Sequence, residues 1–485
     1  MNSSSPLTGL FLGAGASAEL GMPLVWELTD DLKRWLTPET LRKFNEGWRL
    51  QGGGKSDTVI DDFLSVWERP EMHYEAVLGH LETQFRQSSP LRSEYQHLYS
   101  WLVEMVYHLL RIKHTELVKL IASHINILEG IAKLAKINKP LWIFSLNHDL
   151  IVECVAAHYS VEINSGFTSG QVSFPRRDDF GAKIGTVDAE TLSAAQLESG
   201  MVFPSPGSTG INLLKIHGAL DVFTFRNGVD MARLLPSEPT VESVIDMLRI
   251  ANEELPCQES RSATPVRPTN EIAYTDDAGV MQFLRRTLLA GAYKFDKQQS
   301  QVLPKQILTQ FQSNLQNVTT LFCIGYGFGD AHINAILAAW LEANSDRKLE
   351  IVSPRAQIPS FLTHLTDRVS VAREPASLYL DRITGIIRSR HEVLQKRLLS
   401  WVQKSRHSGE AKMMLDRFSQ ERHARNMEAL QENLASLPMR DGDLDSEALG
   451  RDLSELAKEW ADERQAEYDS ALHAFLEENE RRNYS

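Results

Sequence analysis

The sequence predicts an α/β fold: a mainly parallel sheet, broken by a large helical insertion and followed by an α-helical C-terminal region. Three observations carry this. Short apolar runs, each stopped by glycine or a polar turn, alternate with helical patterns as far as Val352. Between Leu24 and Asn138 apolar residues recur at helical spacing with no strand pattern. Beyond Ala372 charge rises and strand patterns vanish.

Taken in order, Leu10-Phe11-Leu12 reads as a short buried strand that glycines stop. Ser17 to Leu20 opens a helix, which Gly21-Met22-Pro23 breaks early, since Pro cannot continue it. In the insertion, residues 24–138, Trp101, Leu102, Met105, Val106, Leu109 and Leu110 form a helical stripe that reads as core packing. Leu141 to Phe144 is the next strand, Leu213 to Ile216 a third. Between them residues 166–210 are Gly/Ser/Pro-rich and read as a loop, as do residues 253–270 with Pro256, Pro265 and Pro268. Thr287 to Ala290, Thr320 to Ile324 and Leu349 to Val352 are the remaining strands, with a helix ending near Leu315. Residues 1–372 are therefore expected to form one α/β domain. Residues 373–485 form a charged helical region, with runs such as Leu394 to Val402 and Leu453 to Phe475, suited to assembly or partner binding.

Composition narrows the function class. The chain has 485 residues, too many for one simple core, with 42% hydrophobic and 24% charged residues. A net charge of -13 argues against a chain-wide nucleic-acid clamp, which needs a positive field. The three cysteines, Cys154, Cys257 and Cys323, are far apart and fit a reducing compartment rather than a zinc ribbon. Leu10 to Leu12 with Ala14 and Ala16 looks faintly like a signal peptide, but no basic region precedes it and the run is too short. No stretch approaches the ~20 apolar residues of a membrane span. A cytoplasmic location is expected.

Four motifs carry chemistry. Gly13-Ala14-Gly15-Ala16-Ser17 follows a strand, where backbone N–H groups and a helix N-terminus can meet a pyrophosphate, as in a Rossmann-like unit. A hydride-transfer enzyme wants an acidic residue about 20 positions on, ending a second strand. Asp30 and Asp31 lie near that distance but in a helical region, which disfavours a dehydrogenase. Ser145-Leu146-Asn147-His148-Asp149 sets an amide and a carboxylate just past a strand, where ligands bind in parallel sheets, although Ser, Asn and Asp also cap helices there. His217-Gly218 ends the third strand. Gly325-Tyr326-Gly327-Phe328-Gly329-Asp330 lets backbone approach a ligand closely. Asp330 is expected to cap the following helix, in preference to a metal site with His332. In the C-terminal region Asp441, Asp443 and Asp445 alternate like an EF-hand loop. Ser446 replaces its glycine and Asp452 its bidentate glutamate, so helix-capping acids are the better account.

In this order, GAGAS with Gly21-Met22-Pro23, then SLNHD, then KIHG, then IGYGFGD, then a strand before Ser353-Pro354, the chain resembles the sirtuin superfamily over roughly residues 8–360. The likeness is nearest to bacterial sirtuin-type NAD-hydrolysing proteins of antiphage defence. The resemblance implies that Gly13, Ala14, Gly15 and Ser17 line the NAD phosphates and adjoining ribose. It implies that Asn147 positions the nicotinamide ribose, Asp149 holds the carboxamide and His217 is the general base. Gly325, Tyr326 and Gly327 would contact the phosphate or adenosine-ribose side. Ser353 stands where many sirtuins use an asparagine near the adenosine ribose. Deacylating sirtuins carry a four-cysteine zinc module that this chain cannot build, so no zinc is expected, and a dedicated deacylase or an ADP-ribosyltransferase is the weaker reading. A non-catalytic NAD or ADP-ribose sensor is a third. The resemblance further implies a regulated, oligomeric NAD hydrolase whose partner is a HerA-class ATPase or a phage-derived activator; from charge and hydropathy no membrane and no direct nucleic-acid partner are expected.

Overall fold

The computed structural model describes the chain apart from residues 1–6, 88, 179, 227, 256–270, 292–302, 406–408, 441–442, 446–448, 451–452 and 483–485. It divides into two compact units, Met1–Thr384 and Gly385–Ser485.

In the first unit the strands are, in chain order, β1 (Thr8–Leu12), β2 (Leu141–Ser145), β3 (Ile163–Asn164), β4 (Gly170–Arg177), β5 (Lys183–Leu192), β6 (Ile211–Lys215), β7 (Val222–Phe225), β8 (Asp230–Leu234), β9 (Glu271–Thr275), β10 (Met281–Arg286), β11 (Thr320–Ile324), β12 (Lys348–Val352) and β13 (Val369–Ala372). Seven of them form one sheet in the order β13-β12-β11-β1-β2-β6-β3, and every pairing is parallel. Fully covered parallel strands read as continuous apolar runs, which is why Leu141-Trp142-Ile143-Phe144 has every residue buried. From β1 the chain runs outward to β2 on one side and, much later, to β11 on the other. A parallel sheet opens a crevice at the carboxyl ends of strands where the order reverses in this way. That switch point lies between β1 and β11.

Six helices separate β1 from β2: α1 (Val25–Trp35), α2 (Pro38–Leu50), α3 (Asp57–Trp67), α4 (Tyr74–Arg86), α5 (Arg92–His124) and α6 (Glu129–Ile137). In α5, Leu98, Leu102, Val106, Leu110 and His114 fall four apart on one buried stripe. Further on come α7 (Ile151–His158), α8 (Ala194–Ser199), α9 (Val241–Glu253), α10 (Gln306–Asn314), α11 (Ala331–Glu342) and α12 (Ala376–Thr384). The helix α12 belongs to the first unit, although the sequence texture changes at Ala372. The core joins Phe11, Phe144, Phe311, Leu321, Leu337 and Trp340 on the sheet and its covering helices.

Three expectations are corrected. Residues 166–210 are not mainly loop: they hold β4, β5 and α8, part of a second sheet in the order β4-β5-β8-β7-β10-β9, antiparallel throughout. The missed signal is alternation, since Val187, Ala189 and Thr191 are buried while Thr186, Asp188 and Glu190 are not. No strand covers Thr287 to Ala290: β10 ends at Arg286, just before the expected strand begins. Its continuation is buried but leaves the ladder, and Leu289 N–H donates to the His217 carbonyl at 2.9 Å. Finally, Ser17 to Leu20 does not open an α-helix. Ala14–Ala16 and Ala18–Leu20 are single tight turns, and Gly21 follows with φ +90°. The loop expected at residues 253–270 lies mostly outside the described residues, as does Cys257.

The second unit contains α13 (Arg390–Ser405), α14 (Gly409–Ala435) and α15 (Leu453–Arg482), with a two-residue ladder pairing Met439–Arg440 with Asp443–Leu444. Leu394, Trp401, Leu472 and Leu476 form its small core. Of the alternating acids, Asp441 lies outside the described residues, and so does Ser446.

Candidate functional site

The carboxyl ends of β1, β2, β6 and β11 open onto a cleft of about 640 Å³, within the ~300–1,000 Å³ of ligand pockets generally. Gly13, Ala14, Asn147, Asp149, His217, Gly325, Tyr326 and Gly327 all line it. Gly15, Ser17 and Ser353 are not among the lining residues. Ser353 instead begins the turn after β12: its N–H donates to Ala372 O and its carbonyl accepts from Ala356 N–H.

The two glycine loops are welded together. Gly13 N–H donates to Ile324 O and Gly15 N–H to Gly325 O, both at 3.0 Å. A Cβ on Gly13 would stand 2.6 Å from Tyr326 Cα, and one on Gly15 2.8 Å from Gly325 Cα. These glycines are therefore required by the contact between loops. Ala16 and Ser17 N–H groups are also bonded inside the turn, so the amides of Gly13, Gly15, Ala16 and Ser17 are spent on the protein itself. This departs from a cradle in which those amides would meet phosphate. Gly327 and Gly329 behave differently: both are exposed and nothing stands within 4 Å of where a side chain would be. Tyr326 orders the second loop. Its hydroxyl donates to Asn334 Oδ1 at 3.0 Å and accepts from Asp330 N–H at 3.2 Å, while its ring packs edge-on against Phe11. Burial, reinforced by Asp330, pushes that phenol well above its ordinary value.

Asn147 is buried and reaches across to β1. Its Nδ2 donates to Gly13 O at 3.0 Å and to Ser17 Oγ at 3.2 Å. With both amide hydrogens used, its Oδ1 is the atom that can serve a ligand. Asp149 is buried as well; one carboxylate oxygen accepts from Ile151 N–H at 3.1 Å, a local turn bond just ahead of α7, whose N-cap is Leu150. Its second oxygen can accept from a ligand. His217 is 2% exposed, and its Nε2 lies 3.4 Å from His332 Nε2. Gly218 has φ +80°, and a Cβ there would stand 2.7 Å from the Thr287 carbonyl carbon, which is why glycine follows the histidine.

Sequence reasoning missed two contributions. The insertion builds the opposite wall: Trp26, His73, Tyr74, Glu75 and Ala76 line the cleft. No local motif marks them. Behind the Asn147–Asp149 turn, His114 is fully buried; its Nδ1 donates to Leu110 O at 2.8 Å and its Nε2 accepts from Leu150 N–H at 3.2 Å. Burial lowers its pKa, with Asp149 opposing. Beneath the site, Arg233 joins Asp221 at 3.1 Å and Glu190 at 3.0 Å, and Lys215 lies 3.4 Å from Glu153, all on buried or nearly buried side chains.

The fold is thus a Rossmann-like parallel sheet with a cleft at its switch point. No family model matches the chain, and no curated protein matches it. Solved structures similar to it include a mutant Sir2 homologue in complex with ADP-ribose, at 12% identity and TM-score 0.35, covering 79% of this chain and 92% of that one. Another is a Sir2 homolog–NAD complex, at 14% identity and TM-score 0.34, covering 81% and 91%. A third is Sir2Tm bound to a propionylated peptide, at 12% identity and TM-score 0.31, covering 80% and 96%. No helix among the described residues is long and apolar enough to cross a membrane.

Proposed function

We propose that this chain is an NAD hydrolase that transfers the ADP-ribosyl group of NAD to water, releasing nicotinamide. One observation carries the reading. Asn147, Asp149 and His217, arriving from the ends of two adjacent strands, meet two interlocked glycine loops around a single cleft. The N-glycosidic bond breaks with oxocarbenium character at the ribose, and nicotinamide leaves neutral. Orientation and removal of one proton are what the site must supply. Asn147 Oδ1 aligns the attacking water, the free oxygen of Asp149 accepts from the carboxamide NH2, and His217 takes the proton. A general base contributes about 10²–10⁴-fold, or ~3–5 kcal/mol.

An ungated NAD hydrolase would drain its own cell. We therefore read the protein as a regulated antiphage effector, oligomeric in its active form and switched by a HerA-class ATPase or a phage-derived activator.

The test is product analysis on the full chain with NAD, with and without each activator and an acylated peptide. ADP-ribose and nicotinamide formed without an acyl acceptor support the proposal. Production of O-acyl-ADP-ribose moves the chain to the deacylases, and tight NAD binding without product under every activator makes it a sensor. In an active preparation N147A and H217A each lower nicotinamide release by at least about 10²-fold. Wild-type turnover in both folded variants sinks the assignment.

A further inference from the structure

We propose that His217, His332 and Asp330 form a binding site for a divalent transition-metal ion, with zinc the best match, on the wall of the cleft. The three residues come from two places. His217 lies just past β6, while Asp330 and His332 flank the first residue of α11. Their donor atoms all lie within 4.8 Å of one another, and all three residues face the cleft.

The spacing of the two imidazoles favours a shared ion over a direct bond between them. Hydrogen bonds donated by N–H groups in proteins cluster at about 2.7–3.2 Å, and the Nε2–Nε2 separation of 3.4 Å is beyond that. Two nitrogens held tetrahedrally on zinc at about 2.0–2.1 Å stand ~3.3 Å apart. The rings are not stacked: their centroids are 5.6 Å apart and the planes tilt by 44°, so the two Nε2 edges converge while the ring bodies diverge. The carboxylate supplies the second, independent observation. Asp330 occupies the N-cap of α11, where an aspartate ordinarily bonds the second or third helical amide, yet its side chain makes no capping bond. The capping role expected from sequence is thus not the one this side chain takes, and its carboxylate stands with the two imidazoles in one cluster at the cleft.

Two imidazoles and one carboxylate suit zinc and its neighbours in the first transition row, and suit magnesium or calcium poorly, since those prefer all-oxygen shells. Three protein donors leave one tetrahedral position directed at the cleft, the arrangement of an open rather than a closed zinc site. Occupation has a consequence that rests on the hydrolase reading. A metal on Nε2 of His217 takes the lone pair that would accept a proton, so zinc inhibits.

The experiment reads binding first, without NAD. The full chain is stripped with chelator and titrated with Zn²⁺ in competition with a chromophoric chelator; Co²⁺ loading then reports the donors through its visible spectrum. One Zn²⁺ per chain at micromolar or tighter affinity is expected. Binding should weaken at least tenfold in H332A and in D330N, and Mg²⁺ should not compete. The Co²⁺ spectrum should lack a thiolate charge-transfer band, which separates this site from the cysteines. Equal zinc affinity in wild type, H332A and D330N, a thiolate band, or no zinc uptake at tens of micromolar overturns the site and leaves a histidine pair. Should the chain prove not to hydrolyse NAD, the binding result stands unaffected. If it does hydrolyse NAD and binds zinc, full activity of the zinc-loaded chain overturns the inhibitory consequence alone.

Discussion

Replacing Gly325 by alanine tests the claim that the two glycine loops are held by their mutual contact. Gly325 has φ +68°, which costs an alanine about 1–2 kcal/mol. The new Cβ would lie 2.5 Å from Gly15 Cα, and closer still to Gly15 C and Ala16 N, all backbone atoms that cannot rotate away. Carbon atoms pack at about 3.5 Å, so the loops must part by roughly 1 Å. That separation breaks the 3.0 Å bond from Gly15 N–H to Gly325 O, a further ~0.5–1.5 kcal/mol. Together G325A should destabilise the first unit by about 2–3 kcal/mol. Gly327, two residues on, has no neighbour within 4 Å of its would-be Cβ and no positive φ. G327A should stay within about 0.5 kcal/mol of wild type. Urea unfolding followed by tryptophan fluorescence measures both. Equal midpoints for the two variants would show that the loops are not interlocked, and the argument for the cleft's shape would go with them.

Two further outcomes follow from the buried groups. R233M should lose about 3–5 kcal/mol, because it strands the buried carboxylates of Asp221 and Glu153; a loss below ~1 kcal/mol in urea unfolding would mean that water reaches them. His114 is held neutral by burial, its pKa below that of the unfolded chain. The unfolded state therefore binds the extra proton first. Stability is intact above the unfolded value near ~6.5 and falls as pH drops through it, levelling off below the folded value. Between pH 7 and 5 the wild type should lose more stability than H114Q, and parallel pH profiles for the two would refute the assignment.

The central strands were legible because both faces of a parallel sheet are covered, which leaves unbroken apolar runs such as Leu141 to Phe144 and Thr320 to Ile324. The second sheet was not. Its strands come from three separated stretches, residues 170–192, 222–234 and 271–286, and β4 and β5 sit in Gly/Ser/Pro-rich sequence whose composition outweighed the alternation. At the site, each strand-end motif could be read locally, so Asn147, Asp149, His217 and Gly325 were placed at the cleft without the structure. What they bond could not. Nothing in GAGAS reveals that the amides of Gly13 and Gly15 are used up against Ile324 and Gly325, backbone that arrives from three hundred residues away. Nor does IGYGFGDAH reveal that Asp330 leaves its helix uncapped while its carboxylate stands beside His217, which comes from another strand.

The bond between His114 and Leu150 fastens the 33-residue helix α5 to the start of α7. One turn of that helix carries Leu110 on the cleft wall and His114 behind the Asn147–Asp149 turn. The same buried imidazole thus ties the helix that lines the cleft to the backbone that follows Asp149, so the cleft's wall and its floor share one side chain.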